Sequence, residues 1–228
     1  MILSIDRSSF LARFYFDKSG LDKSLLLSCV FSMVLLLTRV IYTGDFMFCF
    51  LIWNLFLAYL PYKISGSFMR YPQWIEHKWK FGLLFAGWLL FLPNTFYIIT
   101  DLFHLKSGGV LPVWFDLALI ISFAWNGLML GIGSMKQMEM IIKLRWNISG
   151  DWFYVYPVMF LNALGIYIGR YLRYNSWDVI TNPFELAGEM FYLLVHPLQN
   201  RFDWSMIFCY SLLLSLFYVT VKKLAEAK

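Results

Sequence analysis

The sequence predicts an all-α fold, a polytopic membrane helix bundle that crosses the bilayer six times. Three observations support this prediction. Of the 228 residues, 60% are apolar and only 14% are charged, whereas soluble domains have about 45–50% apolar and about 25% charged residues. Apolar stretches long enough to cross the ~30 Å hydrocarbon core recur along the chain, and most Lys and Arg lie between them. This composition excludes a soluble enzyme, a disordered chain and a secreted disulfide scaffold.

The chain reads as a single integral-membrane domain over 1–228. Residues 1–23 mix basic and acidic side chains with apolar ones that fall loosely on one helical face, which predicts a cytoplasmic or interfacial N-terminal segment. Six apolar stretches follow, and each has roughly the length of a membrane-spanning helix. The predicted spans are 24–42, 46–62, 79–99, 111–134, 153–169 and 204–221.

The segment 179–200 leaves the number of spans open between six and seven. Its apolar run is short and lies among Glu185, Glu189 and His196, so it is either a seventh span or an interfacial or re-entrant segment in an outer loop at 170–203. With six spans and a cytoplasmic N-terminus, fourteen of the 19 Lys and Arg lie inside, whereas a seventh span lowers this number to twelve. Because basic residues accumulate on the cytoplasmic side, six spans are favoured.

The remaining composition points to no soluble partner. The net charge of +5 is explained by the cytoplasmic bias of Lys and Arg, and no basic run is interleaved with exposed aromatic residues, so we expect no nucleic-acid binding. Cys29, Cys49 and Cys209 each lie in an apolar stretch without C-x-x-C spacing, which favours packing residues over disulfides or metal ligands. The predicted partner is the lipid bilayer, and the oligomeric state is left open.

Six charged residues fall near the predicted outer ends of the spans. A charge at mid-bilayer costs about 2.5–3.5 kcal/mol on insertion scales, so such residues pair, extend to the interface or line a cavity. Three arginines and three aspartates at one membrane level could neutralise one another and form an outward-facing polar cluster. These residues are Arg39, Arg170, Arg173, Asp101, Asp116 and Asp178.

Asp101 and His104 are the candidate catalytic or metal-binding residues, together with Asp116. Asp101 and His104 are three residues apart and would share a helix face, where a carboxylate and an imidazole can form an acid–base pair or hold a divalent metal. Asp116, Asp178 or His196 could supply a third ligand. The alternative interpretation is an interfacial helix end with Asp101 near the positive N-terminus and a solvated His104.

The candidate ligand-binding residues lie at the same level of the bundle. Arg170 and Arg173 have a spacing that predicts a forked pair on one helix face, suited to phosphate or carboxylate; internal salt bridges and contacts with lipid phosphates compete with this interpretation. The full set is Arg39, Asn94, Arg170, Arg173, Asn175 and Asp178.

Backbone signals lie close to these residues. Pro93 removes a backbone donor late in the third span and predicts a kink there, where Asn94 can help to satisfy freed backbone groups. Two Gly-x-x-x-Gly motifs, at 127–131 and 165–169, allow close approach of helices and favour packing within the chain.

The chain resembles a bacterial family of multi-pass membrane proteins known as domain of unknown function 1361. Two long motifs carry the resemblance: Leu-Pro-Asn-Thr-Phe-Tyr-Ile-Ile-Thr-Asp-Leu-Phe-His-Leu at 92–105, and Gly-Ile-Tyr-Ile-Gly-Arg-Tyr-Leu-Arg-Tyr-Asn-Ser-Trp-Asp at 165–178. Shorter ones are Asn-Leu-Phe-Leu-Ala at 54–58 with Pro61, and Trp-Phe-Asp at 114–116 with Gly127 and Gly131. The resemblance implies a bacterial inner-membrane location and no assigned activity.

Three functions are compatible with the sequence, which does not decide whether the protein is an enzyme. The first is binding or transport of an anionic or lipid-linked small ligand at Arg170 and Arg173. The second is a metal-dependent membrane hydrolase acting on a lipid-like substrate, with a divalent metal on Asp101 and His104. The third is a structural subunit of a membrane complex, in which the ion pairs only hold helices together.

Overall fold

The computed structural model describes the backbone of residues 7–105, 110–146 and 151–227, and the side chains in these ranges except those of 7–21, 151–153 and 226. The predicted all-α bundle is confirmed: every regular element in this part of the chain is helical. The α-helices are α1 Arg7–Thr43, α2 Phe50–Arg70, α3 Gln73–Glu76, α4 Lys78–Phe91, α5 Pro93–Tyr97, α6 Val113–Trp146, α7 Asp151–Arg170, α8 Asp178–Thr181, α9 Pro183–Val195 and α10 Arg201–Glu226. Short 3₁₀ helices lie at Met47–Cys49 and Ile98–His104.

Five helical segments among the described residues are long and apolar enough to cross a membrane: Asp22–Thr43, Met47–Arg70, Lys78–His104, Val113–Trp146 and Arg201–Ala225. They coincide with five of the six predicted spans. The remaining prediction, 153–169, falls on α7, which has 20 residues. Since a helix rises about 1.5 Å per residue, α7 matches the ~30 Å hydrocarbon core.

The predicted segment at 1–23 is not separated from the first span. From Arg7 onward it belongs to α1, a helix of 37 residues. Residues 1–6 lie outside the described residues, and the interfacial location of this segment stays a prediction.

The third span is interrupted where the sequence predicts a kink. Helix α4 ends at Phe91 and α5 begins at Pro93, because proline has no N–H and its ring clashes with the preceding turn. The Asn94 side-chain Nδ2 donates a hydrogen bond to the Phe91 carbonyl oxygen at 3.0 Å, so it satisfies a backbone acceptor at the break. The span then continues through α5 into the 3₁₀ helix Ile98–His104.

Both Gly-x-x-x-Gly motifs pack against α5, as intrachain packing predicts. A Cβ at Gly131 of α6 would lie 2.5 Å from the Thr95 hydroxyl oxygen, and a Cβ at Gly165 of α7 would lie 2.5 Å from Pro93 Cγ. Only glycine therefore lets α6 and α7 approach α5 this closely. The short helix is held between them, and this position determines where the following residues up to His104 lie.

Buried polar networks link the helices toward the other end of the bundle. The Trp88 indole N–H donates to the Ser134 hydroxyl at 2.8 Å, and Ser65 donates to Gln137 Oε1 at 2.9 Å. One turn further along α6, Glu139 pairs with Lys222 of α10 at 2.7 Å. No motif in the sequence predicts these pairings.

The length of helix α9 favours six spans over seven. It has 13 residues, about 20 Å of helix, which is too short to cross the hydrocarbon core. Apolar side chains around it are exposed, among them Phe184 (91%) and Leu198 (87%). This segment has the character of an interfacial helix.

Candidate functional site

Asp101 is the most deeply buried carboxylate at this end of the bundle. It lies in the 3₁₀ helix after α5, and only 1% of its surface is exposed. Its Oδ2 accepts a hydrogen bond from Asn54 Nδ2 of α2 at 2.9 Å. Its Oδ1 lies 3.6 Å from Arg170 Nη1 and accepts no hydrogen bond from the described residues. The carboxylate is thus balanced by one cation and one amide.

Arg170, the last residue of α7, joins Asp101 to His104. Its Nη1 lies 3.2 Å from His104 Nε2 and 3.5 Å from the Tyr97 hydroxyl oxygen. Residues three apart in a 3₁₀ helix are eclipsed, so Asp101 and His104 share a face, as the sequence predicts. They use it to hold the same guanidinium group.

Asp116 and Arg39 form a second, separate pair. Arg39 Nε lies 2.9 Å from Asp116 Oδ1, and the buried guanidinium also lies over the Phe48 ring, 4.3 Å from its centroid. Asp45 adds a longer contact of 3.5 Å to Arg39. The predicted mutual neutralisation therefore holds for two of the three arginines.

The predicted forked pair of Arg170 and Arg173 on one helix face is wrong. Helix α7 ends at Arg170, and the Leu172 N–H donates back to the Tyr167 carbonyl oxygen at 3.4 Å as the helix closes. Arg173 itself has a φ of 60°, a left-handed conformation common where helices end. It is exposed, and the two guanidinium groups do not share a helix face.

Asp178 and Asn175 form a local turn before α8. The Asn175 backbone N–H donates to Asp178 Oδ2 at 2.6 Å, and the Thr181 hydroxyl donates to Oδ1 at 2.9 Å. These hydrogen bonds to the charged form, first the one from Asn175, lower the pKa of the Asp178 carboxyl from its ordinary value. Asp178, the first residue of α8, therefore joins Asn175 to Thr181 at the end of this helix.

In the part of the chain that the structure describes, no third ligand joins Asp101 and His104 to complete the predicted metal site. No group of three or more His, Cys, Asp or Glu side chains comes together there. Asp116 pairs with Arg39, and His196 Nδ1 lies 3.3 Å from the Tyr192 carbonyl oxygen. A divalent metal on Asp101 and His104 stays a prediction, and Arg170 already contacts both side chains.

A cavity of about 430 Å³ lies beside this cluster, between α2, α4, α5 and α7 and under the 174–186 segment. Its polar lining includes three amides, at Asn54, Asn94 and Asn175, together with the Ser176 hydroxyl. Its apolar lining is mostly aliphatic. The aliphatic side chains are Leu57, Ala86, Leu89, Leu90, Leu161, Leu164, Ile168, Val179 and Leu186.

Asn54 and Asn94 connect the cavity to the rest of the structure. Asn54 lines the cavity and binds Asp101, and Asn94 donates to the Ser176 hydroxyl oxygen at 3.1 Å. Asn94 and Asn175, predicted as ligand-binding residues, both line the cavity, whereas Arg39, Arg170, Arg173 and Asp178 do not. The cavity residues Asn54, Tyr97 and Ser176 were not among the predicted site residues. An amide in mid-span is costly, and this signal marks Asn54 as a residue with a polar partner.

A comparison with protein-family models matches residues 53–217 to the family described as "Protein of unknown function (DUF1361)". The chain belongs to this family. In this DUF1361 protein the matched region contains Asp101, His104, Arg170 and the whole cavity lining, whereas Arg39 lies outside it. No curated protein and no solved structure matches the chain.

Proposed function

We propose that this protein binds a lipid-like amphiphile, drawn from the bilayer, in the cavity beside Asp101. The observation that supports the proposal is the lining of the cavity, which combines a few amides and hydroxyls with aliphatic walls. A volume of about 430 Å³ falls within the range of small-molecule sites, and such sites combine apolar walls with a few convergent polar groups.

The charged cluster supports the polar end of the cavity instead of forming its lining. Asp101 holds Asn54 at 2.9 Å, and Arg170 contacts the hydroxyl of Tyr97, another lining residue. Because a buried side chain that is hydrogen-bonded keeps one orientation, the cluster would pre-organise the amide and phenol groups that meet the ligand. Asp101, His104 and Arg170 are therefore positioning residues in this proposal.

The break in the third span favours transport of the bound lipid over binding alone. Discontinuous helices near the membrane midplane commonly line the binding sites of transporters, and Pro93, at the break between α4 and α5, lines the cavity. Under the cytoplasmic bias of basic residues, the Arg170 end would face outward from a bacterial inner membrane.

Retention of lipid by the protein tests the proposal. The protein is embedded in phosphatidylcholine nanodiscs, supplied with a bacterial polar lipid extract and examined by native mass spectrometry. We expect the wild type to retain a lipid and Ala86→Phe, which places a ring in the cavity, to lose it. Leu83→Phe is the matched control, because Leu83 lies on the same helix, is 78% exposed and does not line the cavity. Equal retention in all three proteins would contradict the proposal.

The hydrolase alternative is tested by elemental analysis of the wild type and His104→Ala. Near-stoichiometric divalent metal that disappears in the variant would support a metal on Asp101 and His104 and redirect the search to lipid hydrolysis. Because Arg170 contacts both side chains, we expect the same metal content in both proteins.

A further inference from the structure

The hydrogen bonds that the cavity amides already make restrict which lipid head group the cavity can bind. Asn54 directs its Nδ2 at the Asp101 carboxylate, and Asn94 directs its Nδ2 at the Phe91 carbonyl and the Ser176 hydroxyl oxygen. A carboxylate and a carbonyl only accept hydrogen bonds, so these contacts determine which end of each amide is nitrogen. Both amide oxygens are therefore left as acceptors, and no described residue donates a hydrogen bond to either of them.

The hydroxyl groups at the same end can both donate and accept. The Ser176 oxygen accepts from Asn94, which leaves its own O–H as a donor. The Tyr97 oxygen lies 3.5 Å from Arg170 Nη1 and likewise retains its O–H. A head group at this end therefore meets amide oxygens that need donors and hydroxyls that need an acceptor.

No charged side chain is among the described residues that line the cavity. The nearby cation, Arg170, is balanced by Asp101 at 3.6 Å. A fully ionised phosphate has only acceptor oxygens and would face the oxygens of Asn54 and Asn94 without a cation to offset its charge, and burial of an unpaired charge is costly.

We infer that the ligand is a lipid with a neutral, hydroxyl-rich head group, such as a glycosyl or glycerol group, and not an anionic phospholipid. Each hydroxyl of such a head can donate to an amide oxygen and accept from Ser176 or Tyr97. The aliphatic walls formed by α4 and α7 would hold the chains. This inference rests on the proposed function and specifies the ligand class of the same cavity.

Lipids with identical dioleoyl chains and different head groups test the inference. The nanodisc-embedded protein is titrated with glucosyl-dioleoylglycerol, dioleoyl phosphatidic acid or a cationic dioleoyl amine, and occupancy is measured by native mass spectrometry. We expect the glucosyl lipid to bind most tightly. Tighter or equal binding of phosphatidic acid or of the amine would overturn the inference while leaving lipid binding intact. Binding of none of the three would instead contradict the proposed function itself.

A hydroxyl deletion separates recognition of the head from binding of the chains. Ser176→Ala should weaken the glucosyl lipid by roughly threefold to tenfold, the usual effect of one hydrogen bond. Ser205→Ala is the matched control, because the exposed Ser205 hydroxyl donates to the Phe202 carbonyl oxygen and does not line the cavity. An unchanged affinity of Ser176→Ala for the glucosyl lipid would count against the inference.

Discussion

At the scale of single residues, charge burial separates two arginines that look alike in the sequence. Arg170 contacts a carboxylate that is 1% exposed, whereas Arg173 lies in an exposed turn. The sequence could predict that charged residues near span ends pair with one another, because lone charges in lipid are costly. It could not predict which ones pair, because that depends on where α7 ends.

Arg170→Met should destabilise the protein by about 3 kcal/mol, because it leaves the buried Asp101 carboxylate without its cation. Arg173→Met, the matched control, should change the free energy of unfolding by no more than about 0.5 kcal/mol. The measurement is chemical or thermal unfolding in nanodiscs. The double variant Arg170→Met/Asp101→Asn should lose less stability than Arg170→Met alone, since no lone charge remains. Equal losses of stability in Arg170→Met and Arg173→Met would show that the pairing of Arg170 with Asp101 contributes nothing to stability.

At the scale of elements, the short helix α5 organises the bundle because two glycine motifs pack on it. Proline at position 93 and glycines at 131 and 165 were recognisable in the sequence as a kink and as close-packing motifs. That all of them meet at one helix was not recognisable, since small-residue motifs specify close approach but not the partner.

Gly131→Ala and Gly165→Ala should each destabilise the bundle by about 1–3 kcal/mol, the usual cost of overpacking a filled site. Each new Cβ would lie 2.5 Å from an atom of α5. Gly87→Ala on α4 is the control: its Cβ meets nothing within 4 Å, and the helix propensity of alanine should leave stability unchanged or raise it by up to about 1 kcal/mol. Thermal unfolding of the three variants provides the comparison, and a neutral Gly165→Ala would show that α7 can move away from Pro93.

The turn before α8 should be sensitive to acid. The pKa of Asp178 is lower when folded than when unfolded, so its contribution to stability is complete above the unfolded value and is lost as the pH falls through the folded value. Hydrogen exchange of the Asn175 amide measures this directly. Above the unfolded pKa of Asp178, the Asn175 amide should exchange more slowly in the wild type than in Asp178→Asn, because the neutral amide is a weaker acceptor. This difference in exchange rate should vanish as the pH falls below the folded pKa. A constant difference at every pH would exclude the carboxylate as the cause.

At the scale of the whole molecule, the two ends of the bundle differ in chemistry. One end holds Arg39, Asp101 and Arg170 with the cavity, and the other holds the pairing of Glu139 with Lys222. Six predicted crossings would place the N- and C-termini on the same side, and the distribution of Lys and Arg predicts that this side is the cytoplasmic one.

Cysteine labelling in intact cells tests this orientation. In a chain whose Cys29, Cys49 and Cys209 are replaced by Ala, a membrane-impermeant maleimide should label Arg173→Cys. It should label Glu76→Cys and Ala227→Cys only after permeabilisation. Labelling of Ala227→Cys from outside, with Glu76→Cys protected, would indicate a seventh crossing.

The sequence by itself determined the membrane-spanning helices, the break at Pro93 and the presence of a polar cluster, because these follow from local quantities: apolar length, a missing backbone donor and the cost of charge in lipid. Only the tertiary structure decided that Asp101 and His104 share Arg170, that Asp116 belongs to Arg39, and that Asn54 and Asn94 meet Ser176 at one cavity. Such pairings join side chains tens of residues apart. They depend on how α5 packs between α6 and α7, which no local pattern specifies.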